Sequence, residues 1–264
     1  MNTLSILDYN IWFDKHYLAE RTLSLIDVIE EKKPDVILMQ EVTKKVFEVL
    51  ILTLTKLGYK YSYPEIINKT YDCIIFSRFP IIETNIVDYD NSRMIRSLIT
   101  VVIEYPLMCK DKNELIALEN TKIVIGTSHF ESFFEKKYSE IKKNQYICAK
   151  NELDNLSKKY KYVIFGGDTN IANEEEEKSF FKNDNNWIDT WKDFDSDPNN
   201  EYTYDTQTNK NLIFRGIKNL RGRTDRILYK GDMITRKYEL ITEGNFIIPP
   251  SDHHGIYVKL EIIT

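Results

Sequence analysis

The sequence predicts an α/β fold in which two sheets pack face to face and helices cover their outer faces. Three observations support this prediction. Strand and helix patterns alternate along the 264 residues, strand patterns outnumber those that a single doubly wound sheet needs, and no repeat or linker divides the chain. The length suits one large domain, so we expect residues 1–264 to form a single domain.

The N-terminal segments show the alternation most clearly. The helix pattern over Tyr17–Lys33 has apolar residues at helical spacing and stops before Pro34, which cannot continue a helix. A second helix pattern covers Thr43–Leu57. Each helix pattern follows an apolar strand pattern, and these strands are predicted at Thr3–Tyr9 and Val36–Met39.

Further along, a long helix is predicted over Tyr138–Tyr160, between two of the remaining strands. Pro106–Asn120 and Asn173–Lys178 interrupt the pattern and are predicted as surface loops, with the acidic run Glu174–Glu177 as a solvated helix start. The remaining strand predictions are Asp72–Phe76, Leu98–Glu104, Lys122–Thr127, Tyr162–Gly166, Asp225–Tyr229, Arg236–Ile241 and Ile256–Ile263.

Composition limits the class of protein. Hydrophobic residues make up 42% and charged residues 29%, which is ordinary for a globular protein, and no stretch reaches the ~18 apolar residues of a membrane helix. The first residues do not have the pattern of a secretory signal, and Cys73, Cys109 and Cys148 have no zinc-like or redox spacing. We therefore expect an intracellular protein with no membrane partner, without choosing between nucleus and cytoplasm.

Four short segments place polar residues directly after predicted strands, where side chains of layered α/β folds converge on a cleft. Taken singly, each has another explanation: Glu41 could cap a helix, the Gly-Gly-Asp turn could be only a turn, and His253 could be a packed histidine. The segments are Tyr9-Asn10-Ile11-Trp12, Leu38-Met39-Gln40-Glu41-Val42, Phe165-Gly166-Gly167-Asp168-Thr169-Asn170 and Ser251-Asp252-His253-His254-Gly255.

Together these residues indicate metal-assisted hydrolysis of a phosphoester. Glu41 offers the oxygen ligand that Mg²⁺ prefers, and Asp168 could accept a proton from water. Amides can hold phosphate oxygens, and the Asp252–His253 pair could stabilise developing charge. The chain lacks a Walker loop, a nucleophile elbow, a Gly-x-Gly-x-x-Gly segment and a His-Glu-x-x-His segment.

These segments, in this order and spacing, resemble the endonuclease/exonuclease/phosphatase superfamily from about Leu4 to Ile262. Its four-layer α-β-β-α sandwich, with two packed, mostly antiparallel mixed sheets, agrees with the two-sheet prediction. Within it the chain is most similar to the tyrosyl-DNA phosphodiesterase 2 subfamily, through Ser92-Arg93-Met94-Ile95-Arg96, Thr127-Ser128-His129-Phe130-Glu131-Ser132, Gly167-Asp168-Thr169-Asn170 and Tyr202-Thr203-Tyr204-Asp205-Thr206-Gln207.

The resemblance implies a role for each matching residue. Glu41 and Asp252 would be the Mg²⁺ ligands, with Mn²⁺ as a substitute. Asp168 would activate water, His253 would stabilise the transition state, and Asp225 would orient the His253 ring. The implied catalytic residues are Asp168, His253, Asn170, Asn10, Asp225, Asp252 and His129; the implied substrate-binding residues are Trp12, Arg96, Ser128, Tyr204, Leu212, Arg223 and Arg226.

Three positions depart from the subfamily pattern. Trp12 stands where an acidic residue is expected, which puts a second metal carboxylate in doubt, and Asp14 is the nearest replacement. Ala172 replaces a basic residue that would contact a DNA phosphate, and Thr224 replaces an aromatic residue. The apolar wall for DNA would then depend on Tyr204 and Leu212.

The net charge of −5 argues against a nucleic-acid partner only when it is taken as a sum. A basic stretch precedes and includes Asp225, and it could follow a polyanionic strand beside the cleft; its members are Arg215, Lys218, Arg221, Arg223 and Arg226. Tyr202 and Tyr204 could stack on bases. We expect a single-stranded or frayed DNA 5′ end as the substrate.

The resemblance implies hydrolysis of the 5′-phosphotyrosyl bond between a DNA 5′ end and a trapped topoisomerase 2-type protein, leaving a 5′ phosphate, by a monomeric enzyme. Other phosphoesterases of the superfamily stay open: a protein–RNA unlinking enzyme, an abasic-site endonuclease or an inositol-phosphate phosphatase. An inactive domain that binds DNA ends is a further alternative, motivated by Trp12 and Ala172.

Overall fold

A computed structural model describes residues 2–111, 114–132, 138–171, 173–181, 186–242 and 247–263. Two six-stranded sheets pack face to face, and helices cover both outer faces, as the sequence predicts. No helix in these ranges is both long and apolar enough to cross a membrane. Cys73 and Cys148 are free thiols, whereas the side chain of Cys109 lies outside the described residues.

The helices are α1 (Leu18–Lys32), α2 (Lys44–Lys56), α3 (Ser139–Ser157), α4 (Glu174–Phe181), α5 (Thr190–Phe194) and α6 (Lys210–Phe214). The strands are β1 (Thr3–Asn10), β2 (Val36–Val42), β3 (Tyr61–Tyr63), β4 (Asp72–Ser77), β5 (Ile81–Asp88), β6 (Ser97–Asp111), β7 (Glu114–His129), β8 (Tyr162–Asp168), β9 (Ile188–Asp189), β10 (Tyr204–Asp205), β11 (Arg221–Gly222), β12 (Asp225–Lys230), β13 (Met233–Ile241) and β14 (Gly255–Ile262).

The two large sheets share one plan. The first has the order β13-β14-β1-β2-β4-β3, and the second has the order β5-β6-β7-β8-β12-β9. Each contains one parallel pair, β1–β2 in the first and β7–β8 in the second, and its other pairs are antiparallel. Strands β10 and β11 form a separate small ribbon.

Alternating side chains divide the core into three layers. Between the sheets lie inward-facing residues of both, among them Leu4, Ile6, Ile125 and Ile164. The opposite face of the first sheet packs on α1 and α2, and that of the second packs on α3. The resulting order of layers is α-β-β-α.

The predicted loop at Pro106–Asn120 is wrong. Strands β6 and β7 continue through it as a long hairpin, with Pro106 opposite Asn120 and Asp111 opposite Glu114. Its mixed sequence lacks the period-two alternation of a strand with one buried face, which is why the pattern failed here. In the predicted loop at Asn173–Lys178, the acidic run does start a helix, since α4 begins at Glu174 and replaces most of the loop.

Edge strands were harder to predict than central ones. Strand β5, at the edge of the second sheet, was missed because most of its side chains are exposed and its polar residues hide the pattern. Central strands such as β2 and β8 are buried along nearly their whole length and were predicted close to their bounds.

Candidate active site

One end of the layer between the sheets is polar. Along β1 the inward-facing positions run Leu4, Ile6, Asp8 and Asn10, so the apolar series ends in a carboxyl and an amide. The same change occurs at the ends of β2, β7 and β8 and at the start of β12, where the inward-facing residues are Gln40, His129, Asp168 and Asp225. Side chains from both sheets therefore converge at this end.

A direct hydrogen bond joins the two sheets here. The Asn10 side-chain amide donates to Asp168 Oδ2 at 2.9 Å, and its oxygen accepts from the Trp12 backbone N–H at 3.0 Å. Asp168 Oδ1 accepts from the Asn170 backbone N–H at 2.9 Å, and the Asn170 amide donates to the Phe130 carbonyl at 3.1 Å. The Asp168 carboxyl is therefore fixed in position by Asn10, at the end of β1, and by Asn170, just after β8.

Glycine at position 167 is required by a close approach of β7 and β8. Its φ is +154°, and a Cβ atom there would lie 2.1 Å from the Ser128 carbonyl oxygen. Only a residue without a side chain lets the two strands meet at this point, directly before Asp168.

The backbone is unusual at three site residues. Trp12, Glu41 and Asn170 are not glycine and yet have φ values of 58°, 62° and 50°. Such left-handed conformations cost free energy, and they occur preferentially at functional sites. At Glu41 this conformation coincides with a register shift in the β2–β4 pairing between Met39 and Val42.

His253 is held by Asp225. The distance from His253 Nδ1 to Asp225 Oδ2 is 2.8 Å, and the hydroxyl of Thr224 donates to the same oxygen at 2.9 Å. Burial alone would lower the pKa of His253, but the Asp225 carboxylate raises it well above its usual range. Burial in turn would raise the pKa of Asp225, and the imidazolium lowers it. The pair is therefore an imidazolium–carboxylate ion pair.

Asp168 lies beside this pair. Its Oδ2 lies 3.9 Å from His253 Nε2. Burial and repulsion from the Asp225 carboxylate raise the pKa of Asp168 to about 7. A carboxyl with this pKa can take up a proton near neutral pH, as a general base must.

Glu41 is partly exposed at the site, whereas Asp252 is buried. Glu41 Oε2 accepts from the Phe13 backbone N–H at 2.9 Å, and Glu41 Oε1 lies 3.8 Å from His129 Nδ1. Burial raises the pKa of Asp252 to about 6, and the negative charge of Glu41 contributes to this shift, so the two carboxylates are near enough to repel.

Two sets of side chains could hold a divalent cation. Asp168, Asp225 and His253 have ligand atoms within 4.8 Å of one another. Glu41 and Asp252 offer oxygen ligands only, and a cation between them would relieve their repulsion. Within the described residues, both carboxyl groups fit a hard cation by the chemistry of their donor atoms.

His129 and Arg96 form the floor of the site. His129 Nε2 lies 3.2 Å from Arg96 Nη2 and 3.3 Å from Asp168 Oδ2. Burial, with the guanidinium charge of Arg96, lowers the pKa of His129 well below its usual range, so its ring is neutral. Its Nδ1 is buried and makes no hydrogen bond.

Three predicted substrate-binding residues have buried side chains. Ser128 is fully buried, and its hydroxyl donates to the Ser97 carbonyl at 2.9 Å. Leu212 is also fully buried and cannot form an apolar wall for DNA. Trp12 is only 5% exposed, so it offers almost no ring surface to a base. Tyr204 does lie at the site, with its ring 5.2 Å from that of His253.

Arg223 and Arg226, two members of the predicted DNA-binding stretch, do not have exposed side chains. Both are buried in an ion-pair network, with Arg223 Nη1 2.6 Å from Asp189 Oδ2 and Arg226 Nη2 3.2 Å from Glu177 Oε2. The acidic run is therefore not separate from the basic stretch, since Glu177 neutralises part of it. Ala172, the other predicted change in DNA contact, lies outside the described residues.

One buried residue beneath the site, Asp8, was missed in the sequence, and its partner Gln40 was noted only as part of a polar segment. Asp8 is 1% exposed, and its Oδ1 accepts from the Gln40 side-chain amide at 2.8 Å. Asp8 Oδ2 and Gln40 Oε1 have no hydrogen-bond partner. Burial and the carboxylate of Asp225 raise the pKa of Asp8 well above its usual range. Its inward-facing place in an apolar alternation was the signal that could have found it.

Comparison with known proteins agrees with this geometry. The sequence profile described as the "Endonuclease/Exonuclease/phosphatase family" matches residues 9–253. Tyrosyl-DNA phosphodiesterase 2 of Xenopus tropicalis is 29% identical over 98% of this chain, and that of Bos taurus is 27% identical over 99%. The alignments span 66% and 69% of those two relatives, so the chain matches about two thirds of their length.

A solved structure shows the same fold. The crystal structure of D. rerio TDP2 complexed with single strand DNA product superimposes with a TM-score of 0.81 at 21% identity, covering 99% of this chain and 100% of the other. The four-layer architecture, the residues gathered at one end of both sheets and the match over residues 9–253 all agree. This chain therefore belongs to the endonuclease/exonuclease/phosphatase family.

Proposed function

We propose that the protein is a Mg²⁺-dependent phosphodiesterase that hydrolyses the 5′-phosphotyrosyl bond between a DNA 5′ end and a covalently trapped protein. The products are a 5′-phosphorylated DNA and the freed tyrosine side chain of the protein. One observation carries the proposal: a buried carboxyl of raised pKa, Asp168, lies 3.9 Å from the imidazolium of His253. An acceptor for the proton of water and a stabiliser of phosphoryl charge thus lie close together.

Asp168 is the general base in this proposal. It accepts a proton from water as the water oxygen attacks phosphorus, and its two oxygens are already oriented by Asn10 and Asn170. Each amide side chain uses one N–H in the bonds described above and has a second for a phosphate oxygen. These amides thus act both on the base and on the substrate.

His253 stabilises the transition state. Its Nδ1 is bonded to Asp225, which fixes the ring and keeps it charged, while its Nε2 lies 3.9 Å from Asp168 Oδ2. A charged donor held in advance stabilises the trigonal-bipyramidal phosphorus more than a mobile one, because it needs no reorganisation.

Glu41 and Asp252 are our proposed ligands for Mg²⁺. We prefer them to the Asp168, Asp225 and His253 group because Asp225 and His253 are already hydrogen-bonded to each other at 2.8 Å. Oxygen ligands with room for water suit Mg²⁺, and Mn²⁺ accepts the same ligands. When bound, the cation would polarise the phosphoryl oxygens and neutralise the charge of the leaving tyrosinate.

The substrate class follows from the relatives and the shape of the site. The relatives are named for tyrosyl-DNA, and the solved neighbour holds a single-strand DNA product. Tyr204 places an aromatic ring beside His253, where a terminal base could stack. We propose a single-stranded or frayed 5′ end carrying a topoisomerase 2-type adduct, bound by one copy of the chain.

A side-by-side turnover assay tests this proposal. The purified protein is given 5′-tyrosyl DNA, 3′-tyrosyl DNA, an abasic duplex and an inositol phosphate, each with Mg²⁺ or EDTA. We expect tyrosine release from the 5′-tyrosyl strand, leaving a 5′ phosphate, and loss of release in EDTA. Preferential cleavage of the abasic duplex, or phosphate release from inositol phosphate, would contradict the proposal.

A further inference from the structure

Trp12 lies between two guanidinium groups. The guanidinium carbon of Arg21 is 4.3 Å from the centre of the Trp12 ring, and that of Arg215 is 5.2 Å from it. Both distances are within the range of cation–π attraction. The ring therefore supports cations, at the position where the family resemblance leads us to expect a carboxylate.

The two arginines have different surroundings. Arg21 is buried and donates to the backbone carbonyls of His16, Ile11, Trp12 and Asp14, so it fastens the loop that follows β1. Arg215 has a side chain that is 42% exposed, and its Nη1 lies 3.4 Å from Asp252 Oδ2. Arg21 is therefore structural, whereas Arg215 still faces solvent at the edge of the site.

The segment directly before Arg215 is hydrogen-bonded to the turn that carries His253. Arg215 directly follows α6, in which Asn211 donates to the carbonyls of Pro249 and Ser251 at 3.0 and 2.9 Å. Asn209, just before α6, also donates to the Ser251 carbonyl at 3.1 Å. Both asparagines are buried, so the backbone that leads into Arg215 is held against the turn that carries Asp252 and His253.

The negative charge of the site favours a cationic side chain such as Arg215 at its edge. The site gathers the carboxyl groups of Glu41, Asp168, Asp225 and Asp252, which repel an incoming phosphodiester. A guanidinium on an aromatic face keeps the N–H groups at its edge available, and their geometry matches two oxygens of a phosphate. At the position where the resemblance leads us to expect a carboxylate, Trp12 instead supports the positive charge of Arg215.

We propose that Arg215, supported by Trp12, is a substrate-binding residue that contacts an anionic oxygen of the phosphodiester at the edge of the site. This inference deepens the proposed function and shares its substrate class. Arg215 binds the strand, and Trp12 acts as a positioning residue that keeps the guanidinium near Asp252.

Binding without turnover tests the proposal. Fluorescence anisotropy with a 5′-phosphorylated single-stranded oligonucleotide, labelled at its 3′ end, is measured in EDTA over a series of salt concentrations. We expect Arg215→Ala to raise Kd about tenfold, because a charge-assisted hydrogen bond is lost. We also expect the slope of log affinity against log salt to fall by about 0.7, the value for one phosphate contact on a single strand.

Three further variants separate contact from general charge. Arg215→Lys keeps the salt slope and binds with intermediate affinity, since it keeps the charge without the planar fork. Arg236→Ala is the matched control, because Arg236 is 53% exposed and pairs with Glu261 on β13–β14. It should leave Kd and slope unchanged. Trp12→Phe retains an aromatic face and should bind nearly as the wild type does.

A double-mutant cycle tests whether Trp12 supports Arg215. If Trp12 acts through Arg215, Trp12→Ala combined with Arg215→Ala binds no more weakly than Arg215→Ala alone. Unchanged Kd and slope in Arg215→Ala, or an equal loss in Arg236→Ala, would overturn the inference. Circular dichroism of each variant shows whether Trp12→Ala is folded. If it is not, Trp12→Leu, which fills more of the space without an aromatic face, replaces it in the cycle.

The inference and the proposed function can fail separately. If the wild type does not release tyrosine from DNA but Arg215→Ala still weakens oligonucleotide binding, the phosphate contact stands and the substrate assignment fails. If the wild type cleaves 5′-tyrosyl DNA and Arg215→Ala leaves Kd and the salt slope unchanged, the contact fails alone.

Discussion

The two sheets contribute unlike halves of the site, although each does so from the end of its one parallel pair. The first sheet provides Asn10 and the partly exposed Glu41. The second provides His129 and Asp168, both buried, and the adjacent β12 adds buried Asp225. The buried groups of the second sheet have strongly shifted pKa values, because charges there interact through little solvent, and burial raises the pKa of Asp8 on β1 as well.

This difference explains how one site can bind a cation and also accept a proton. A hydrated cation needs oxygen ligands near solvent, whereas a base of raised pKa needs burial. Glu41, which is partly exposed, and the buried Asp168 lie on opposite sheets, and the Asn10–Asp168 hydrogen bond joins the two sheets at the site. The predictions below test this division.

The largest effect is expected at the base. Asp168→Asn keeps the shape and the bond to Asn10 but cannot accept a proton, so we expect kcat to fall by about 10²–10⁴-fold. Affinity for a 5′-phosphorylated oligonucleotide should change little. Single-turnover rates and anisotropy measure the two quantities, and an equal loss in both would show that Asp168 mainly binds substrate.

The buried ion pairs of the second sheet should matter for folding. Arg226→Ala leaves Glu177 and Asp189 without one of their cationic partners, and breaking a buried pair typically costs about 3–5 kcal/mol. Urea unfolding measures this loss. The salt dependence of DNA binding should stay as in the wild type, and a reduced slope would restore Arg226 to the DNA-binding surface.

A smaller effect is expected on the cation side. Glu41→Gln weakens the proposed ligand, so the rate at low Mg²⁺ should fall by roughly 10–100-fold and recover in part as Mg²⁺ rises. Steady-state rates over a Mg²⁺ titration measure this. A rate that does not respond to Mg²⁺ in this variant would remove Glu41 from the principal ligand position.

The smallest effect concerns pH and stability without metal. The pKa of Asp168 is raised to about 7, so between its usual value and 7 the folded protein holds a proton that the unfolded chain releases. The free energy of unfolding therefore falls as pH rises through this window. We expect the protein in EDTA to be about 1–3 kcal/mol more stable at pH 5 than at pH 8.

His253 acts in the same direction, because its pKa is raised and the stability it contributes is lost as pH rises through that value. Asp168→Asn should show a weaker dependence on pH than the wild type. Urea unfolding at the two pH values measures both proteins, and identical slopes would show that Asp168 does not hold the proton.

Much of this site was predictable because its residues end buried central strands. Asn10, Asp168 and Asp225 lie at the strand boundaries that apolar runs in the sequence predict. The spacing of these residues in the sequence does not predict that the two sheets bring them together, since this depends on long-range packing. The resemblance to a family provided that information.

The solvent exposure of side chains was the property least well predicted from the sequence. Arg223 and Leu212 lie in segments whose composition is that of a surface loop, yet tertiary packing buries both. Glu177, about 45 residues earlier, pairs with Arg223, and no local pattern could indicate that contact. A charge that finds a distant partner looks the same in sequence as one that faces solvent.

The pairing of β1 with β14 has a consequence for biosynthesis. The first strand lies in the middle of its sheet, between β2 and a strand that is made last. Until β14 has been synthesised, β1 has an unpaired edge, and the turn with Asp252 and His253 is held on one side only, by Asn209 and Asn211. The first sheet and the residues of the site are therefore complete only when β14 has paired with β1.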